Sequence, residues 1–140
     1  MDNQHIVNTT IGILGTIITY LLGGWDVCLV ILAIFIGLDY MTGVIDAYMN
    51  RLVNSRTGFR GLLRKAEIFI VLVVATLLDR LINQGTWIFR TLVCYYYIAN
   101  EGISILENVG KCGVPLPTKL FDALEQLKGG KPNEKDSRHK

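Results

Sequence analysis

The chain has 140 residues, 51% of them hydrophobic and 19% charged, and its 14 basic and 12 acidic side chains leave a formal net charge of +2. So even a balance carries no electrostatic footprint for nucleic acid. Three cysteines, Cys28, Cys94 and Cys112, are odd in number and lack C-x-x-C spacing, which argues against a disulfide framework and against zinc, and they read as small apolar fillers.

The arrangement of the charges says more than their number. The first predicted span, residues 6–24, runs IVNTTIGILGTIITYLLGG without a charge. At 1.5 Å per residue it extends roughly 28 Å, close to the ~30 Å of a hydrocarbon core. It has no basic lead-in, so it reads as a span and not as a cleaved signal. Gly23, Gly24 and Trp25 then predict a tight turn at the lipid–water boundary. The second span, residues 26–48, is wholly apolar in its first half, with Asp39 near its middle and Asp46 near its end. A polar stretch over residues 50–65 follows, carrying Arg51, Arg56, Arg60, Arg64 and Lys65 and no acid, with Ser55 as a candidate helix cap. The third span, residues 66–82, ends at Asp79-Arg80. The fourth, residues 87–109, holds Tyr95, Tyr96 and Tyr97 in its middle with Glu101 near the same depth.

Gly113, Pro115 and Pro117 end the membrane region, which is expected to occupy residues 1–113. Thr118 is placed to cap an amphipathic helix over 119–128, in which Leu120, Phe121, Leu124 and Leu127 recur at helical spacing. Residues 114–128 therefore read as a cytoplasmic amphipathic segment, and residues 129–140 as a disordered charged tail. The expected fold is an all-α integral membrane protein of about four transmembrane helices plus this short C-terminal helix.

Five basic residues lie between spans two and three and seven after span four, while only Arg80 and Arg90 fall near the opposite side. Because Lys and Arg are retained in the cytoplasm, both chain ends are predicted cytoplasmic. Span one, with Asn8, Thr9, Thr10, Thr16 and Thr19, is the most polar, and a three-span arrangement with an external N-terminus is the alternative.

No catalytic constellation is visible. Neither histidine has a nucleophile partner, no phosphate-binding glycine motif is present, and no cofactor or metal is expected. The informative residues are the acids inside apolar spans, because a carboxylate at mid-bilayer costs about 2.5–3.5 kcal/mol on insertion scales. In linear sequence no Lys or Arg lies at the depth of Asp39 or Glu101, so each is expected to be protonated, hydrogen-bonded or hydrated. Asp39, Gly43 and Asp46 share a helix face, and together with Glu101 and Asn108 they form the candidate pore or packing face. The structural reading is intramolecular packing. The functional reading is hydration when copies assemble around a lumen. Asp79 and Arg90 form a candidate outer salt bridge across a short hairpin. Arg56, Arg60, Arg64 and Lys65 are candidate contacts to anionic inner-leaflet lipid, although topology alone explains their charge.

The run from Asp39 through Gly43, Ser55, Gly58, Gly61, Arg64-Lys65 and Asp79 resembles the family of small phage holins that includes the clostridial toxin-secretion holins. The later run of Glu101, Ser104-Ile105-Leu106, Asn108 and the C-G-V-P-L-P sequence at 112–117, then Lys119, resembles that family's C-terminal signature more closely. The resemblance covers residues 26–128 and leaves span one without a matching motif. It implies a protein that accumulates in the bacterial cytoplasmic membrane, associates with copies of itself in the bilayer, and opens a lesion at a set time for an endolysin or a secreted toxin. The competing readings are a small proton-coupled transporter and a non-conducting membrane assembly factor.

Overall fold

A computed structural model describes residues 3–52 and 54–128, and its described residues are all-helical, with no strand. Five helices follow in order: α1 (Asn3–Leu22), α2 (Val27–Met49), α3 (Ser55–Ile82), α4 (Ile88–Lys111) and α5 (Thr118–Leu127). The tail expected over 129–140 lies outside the described residues.

The helix ends follow from local chemistry. Gly23 and Gly24 take φ of +78° and +100°, which stops α1 where a side-chain-bearing residue would be strained. Asp26 then caps α2, its carboxylate accepting the Leu29 N–H at 2.9 Å. Asn54, and not Ser55, caps α3 by accepting the Arg56 N–H, and Ser55 is already inside the helix. Likewise Thr118 is the first residue of α5 and not its cap; Pro117 holds that position without a side-chain hydrogen bond.

Helix α4 is the hub. It packs against α2, α3 and α5, while α1 leans on α3. The core is a narrow stripe of Leu29, Leu32, Ile68, Leu72, Cys94 and Ile98. On α3 the inward positions Ile68, Leu72, Thr76 and Asp79 recur at three- or four-residue steps, as one face of a helix requires.

Helices α1 and α2 are each long and apolar enough to cross a membrane. They are not the core helices of a soluble protein, for their large apolar residues point outward: Ile11 is 63% exposed, Ile34 53% and Val27 75%. Helices α3 and α4 are long enough, at 28 and 24 residues, but charges interrupt their apolar stretches. In α3 the uncharged run between Glu67 and Asp79 extends only about 16 Å.

Candidate functional site

Two buried ionic layers cross the α2–α3–α4 bundle, one near each end. Labelled by the expected topology, the outer of the two is built around Arg90, which is 1% exposed near the start of α4. Its Nε donates to the Leu22 carbonyl at 2.6 Å and Nη2 to the Gly24 carbonyl at 3.1 Å. Nη1 and Nη2 reach the two Asp26 oxygens at 2.6 and 3.2 Å. This is the bidentate fork that a guanidinium offers a carboxylate. The Arg90 bond holds the Asp26 carboxyl below its ordinary value, outweighing the opposing effect of partial burial. Gly23 is required here twice over, for its φ and because a Cβ would sit 3.0 Å from the Arg90 side chain.

The expected Asp79–Arg90 side-chain salt bridge is replaced by a different arrangement. Asp79, fully buried, accepts the backbone N–H groups of Phe89 and Arg90 at 2.9 and 2.8 Å and the Asn83 amide at 2.8 Å. It thus caps α4 from the preceding helix, satisfying donors that Trp87 leaves open. The guanidinium is turned to Asp26, a residue the sequence reading had not singled out for the site. Arg80 donates to the Tyr20 carbonyl at 2.7 Å and lies over the Tyr20 ring at 3.7 Å, fastening the end of α1 to α3.

The inner layer corrects a second expectation. Asp39 and Glu101 are not without a cation: the Lys65 ammonium lies between them, 2.5 Å from Asp39 Oδ2 and hydrogen-bonded to Glu101 Oε2. The side chains of all three are nearly buried, at 12%, 12% and 7% exposure for Lys65, Asp39 and Glu101. Asn108 donates to the other Asp39 oxygen at 3.1 Å and to the Thr42 hydroxyl at 3.3 Å. The geometry has a simple origin. Helix α3 begins at Ser55, not near Ala66, so Lys65 is ten residues into a continuous helix. Stepping back seven residues from Leu72 on the inward face of α3 gives Lys65, while Arg64, about 100° round, faces out.

Of the face predicted for α2 and α4, Asp39, Gly43, Glu101 and Asn108 come together, and a Cβ at Gly43 would meet the Asn108 amide at 3.6 Å. Asp46 stands apart and accepts the Asn50 amide at 2.7 Å. Arg56, Arg60 and Arg64 are exposed along α3, and Lys65 is drawn inward instead. A cavity of about 620 Å³ opens beside the inner layer, where Asp39, Lys65 and Asn108 meet apolar walls from Val44, Phe59 and Leu62. Among the described residues no cluster of His, Cys, Asp and Glu is arranged to hold a metal.

Between the two layers the buried side chains are apolar except Thr76, whose hydroxyl donates to the Leu72 carbonyl at 2.8 Å. This interval measures about 20 Å along α2 from Asp26 to Asp39, about 21 Å along α3 from Lys65 to Asp79, and about 16 Å along α4 from Arg90 to Glu101. Each is thinner than the ~30 Å of a typical hydrocarbon core.

One family model matches the chain over residues 16–129, that of a bacteriophage holin family. The chain belongs to the bacteriophage holin family. The family is one of membrane proteins and not of enzymes. The chain is 52% identical over 118 residues to an uncharacterized 14.9 kDa protein in the nagH 3′ region of Clostridium perfringens, covering 84% of this chain and 89% of that one. It is 34% identical over 122 residues to the uncharacterized protein YqxH of Bacillus subtilis, covering 86% and 85%. A probable holin of Bacillus phage phi105 is 37% identical over 91 residues, covering 64% of this chain and 66% of that one. No solved structure matches the chain.

Proposed function

We propose that this chain is a working holin: α1–α4 span the bacterial cytoplasmic membrane with both ends inside, copies gather in the bilayer, and the assembly opens a lesion through which an endolysin, or a secreted toxin, passes. The observation that carries the reading is the belt of uncovered large apolar side chains on α1–α4, in a chain that belongs to a holin family. Such a belt suits lipid, and suits other copies of the same belt. Exposed Arg56, Arg60 and Arg64 suit the anionic inner leaflet. The roughly 42 Å length of α3 lets its basic first turns overhang the hydrocarbon on that side.

The inner layer gives the assembly a place to admit water. Two carboxyl groups share one ammonium, so the cluster holds either an extra proton or an uncompensated charge, and water serves both better than apolar surroundings do. When copies meet, hydration of this layer relieves that penalty. The apolar stretch between the layers is short, so wetting one layer leaves only about 16–21 Å of it to breach.

Induced expression in a bacterial host with a potential-sensitive dye tests the reading. The expected result is a delay, then an abrupt collapse of the membrane potential, and lysis when a wall hydrolase lacking its own export signal is co-expressed. A membrane that stays polarised at high expression contradicts it. A proton-coupled transporter is the second reading, favoured by the cavity beside Asp39; it predicts substrate-dependent proton exchange with the membrane otherwise sealed.

A further inference from the structure

Helix α5 does not lie clear of the bundle. After Gly113, whose φ is +84°, the chain reverses and Leu116 tucks against Gly110. Helix α5 then runs back along α4 into the groove between α2 and α4. Gly102 forms the notch: a Cβ there would sit 3.0 Å from both methyl carbons of Leu124 and 3.1 Å from the Phe35 ring. Further along, Leu127 shares a cavity wall with Cys28, Ile31, Tyr95 and Ile98. Lys128 reaches the Asn100 amide oxygen at 3.3 Å and lies over the Tyr96 ring at 5.7 Å. Gly102 is about 13 Å, and Tyr96 about 22 Å, from the Lys111 end of α4. The docked helix therefore sits at the depth of the spans.

Its outer face is wrong for lipid. Lys119, Asp122 and Gln126 lie opposite Leu124 around the helix, with Glu125 on the flank, and all four are exposed. Charged side chains at this depth demand water. A sealed bilayer does not supply it, whereas a water-filled lesion does.

We infer that the docked α5 belongs to the open lesion, with its Lys119–Asp122–Gln126 face forming part of the wet wall, and that in the sealed membrane α5 leaves the Gly102 notch for the cytoplasmic interface. This rests on the holin reading and adds to it a lumen-lining element and the movement that delivers it. Docking also covers apolar groove surface at Gly102, Phe35 and Cys28 that water entering the assembly would otherwise meet.

The test is disulfide trapping of Gly102→Cys with Leu124→Cys in full-length protein in cell membranes, with each single variant as control and dye uptake as the second readout. Expected is little cross-link while the membrane is sealed, cross-link appearing with permeabilisation, and a pre-oxidised protein that opens the membrane without the usual delay. Full cross-linking in sealed membranes overturns the inference, as does a locked protein that keeps the membrane closed. Leu124→Asp, a change on a peripheral helix, is the second variant: insertion and self-association persist while the onset of leakage is delayed at least tenfold, and unchanged timing overturns the inference alone. A reduced parent that never leaks overturns the holin reading and this inference with it.

Discussion

Around Arg90, every oxygen the guanidinium reaches is held by the last residue of α1, the turn that follows it or the cap of α2, and Asp79 is occupied by backbone donors of α4. Around Lys65, one ammonium serves two carboxylates, helped by the single amide of Asn108. Both clusters are largely buried; the outer one joins α1 and its turn, α2, α3 and α4, and the inner one joins α2, α3 and α4. In the outer layer Arg80 and Arg90 balance Asp26 and Asp79 in number, and the Arg90 and Asp79 side chains are fully hydrogen-bonded, whereas the buried Arg80 Nε has no partner among the described residues. The inner layer is acid-rich and borders a cavity. The contrast teaches that burying charge serves two different ends here. The Arg90 cluster fixes a turn, and the Lys65 cluster is the one that the proposed holin reading assigns to water entry.

The largest expected effect comes from breaking the inner layer. Lys65→Met leaves Asp39 and Glu101 facing each other without a cation. Removing one partner of a buried pair costs about 3–5 kcal/mol. The variant is expected to reach the membrane in reduced amount and to open it early if it inserts. Glu101→Gln acts oppositely: it leaves one carboxylate for one ammonium, and onset of leakage in a dye-uptake assay should be later than wild type. Equal timing for the two variants would remove the inner layer from the mechanism.

The outer layer should respond less, and in the fold alone. Asp26→Asn weakens the fork to Arg90 while keeping the cap on Leu29. Since the Asp26 side chain is half exposed, a loss of about 1 kcal/mol in detergent is expected. Its pH dependence has a definite sign. The folded-state value lies below the ordinary 3.8, so this stabilisation is complete above that value and disappears as pH falls through the lower folded value. Thermal melts of wild type and Asp26→Asn should differ by a constant amount near neutral pH and converge only below about pH 3.8. Convergence at higher pH would show that Asp26 is not held by Arg90.

Much of the fold was legible because apolar runs and glycine turns are local signals, whereas the caps expected at Ser55 and Thr118 each fell one residue inside the helix. The breaks at Gly23-Gly24, Asn83-Gln84-Gly85 and Gly113 all terminate helices as their backbone conformations demand. The partner of Asp39 and Glu101 was not legible from linear depth. Lys65 sits beside Arg64 in a basic run, and only the inward face of α3, traced from Asp79 through Leu72, separates it from its neighbours. Asp26 was hidden for a related reason: an acid next to a turn reads as a cap, and its second role depends on a guanidinium 64 residues away. The amphipathic pattern of α5 was plain, but its destination depends on Gly102, a notch that only the packed α2–α4 pair creates.

The central claim is that copies of this chain gather in lipid and admit water. Release of a trapped dye from liposomes, measured as the number of purified chains per vesicle is raised, tests it most directly. The account predicts vesicles that stay tight at few copies and then release dye as a steep power of protein density. Vesicles that stay sealed at every density, or leak in simple proportion to it from single copies, would contradict it.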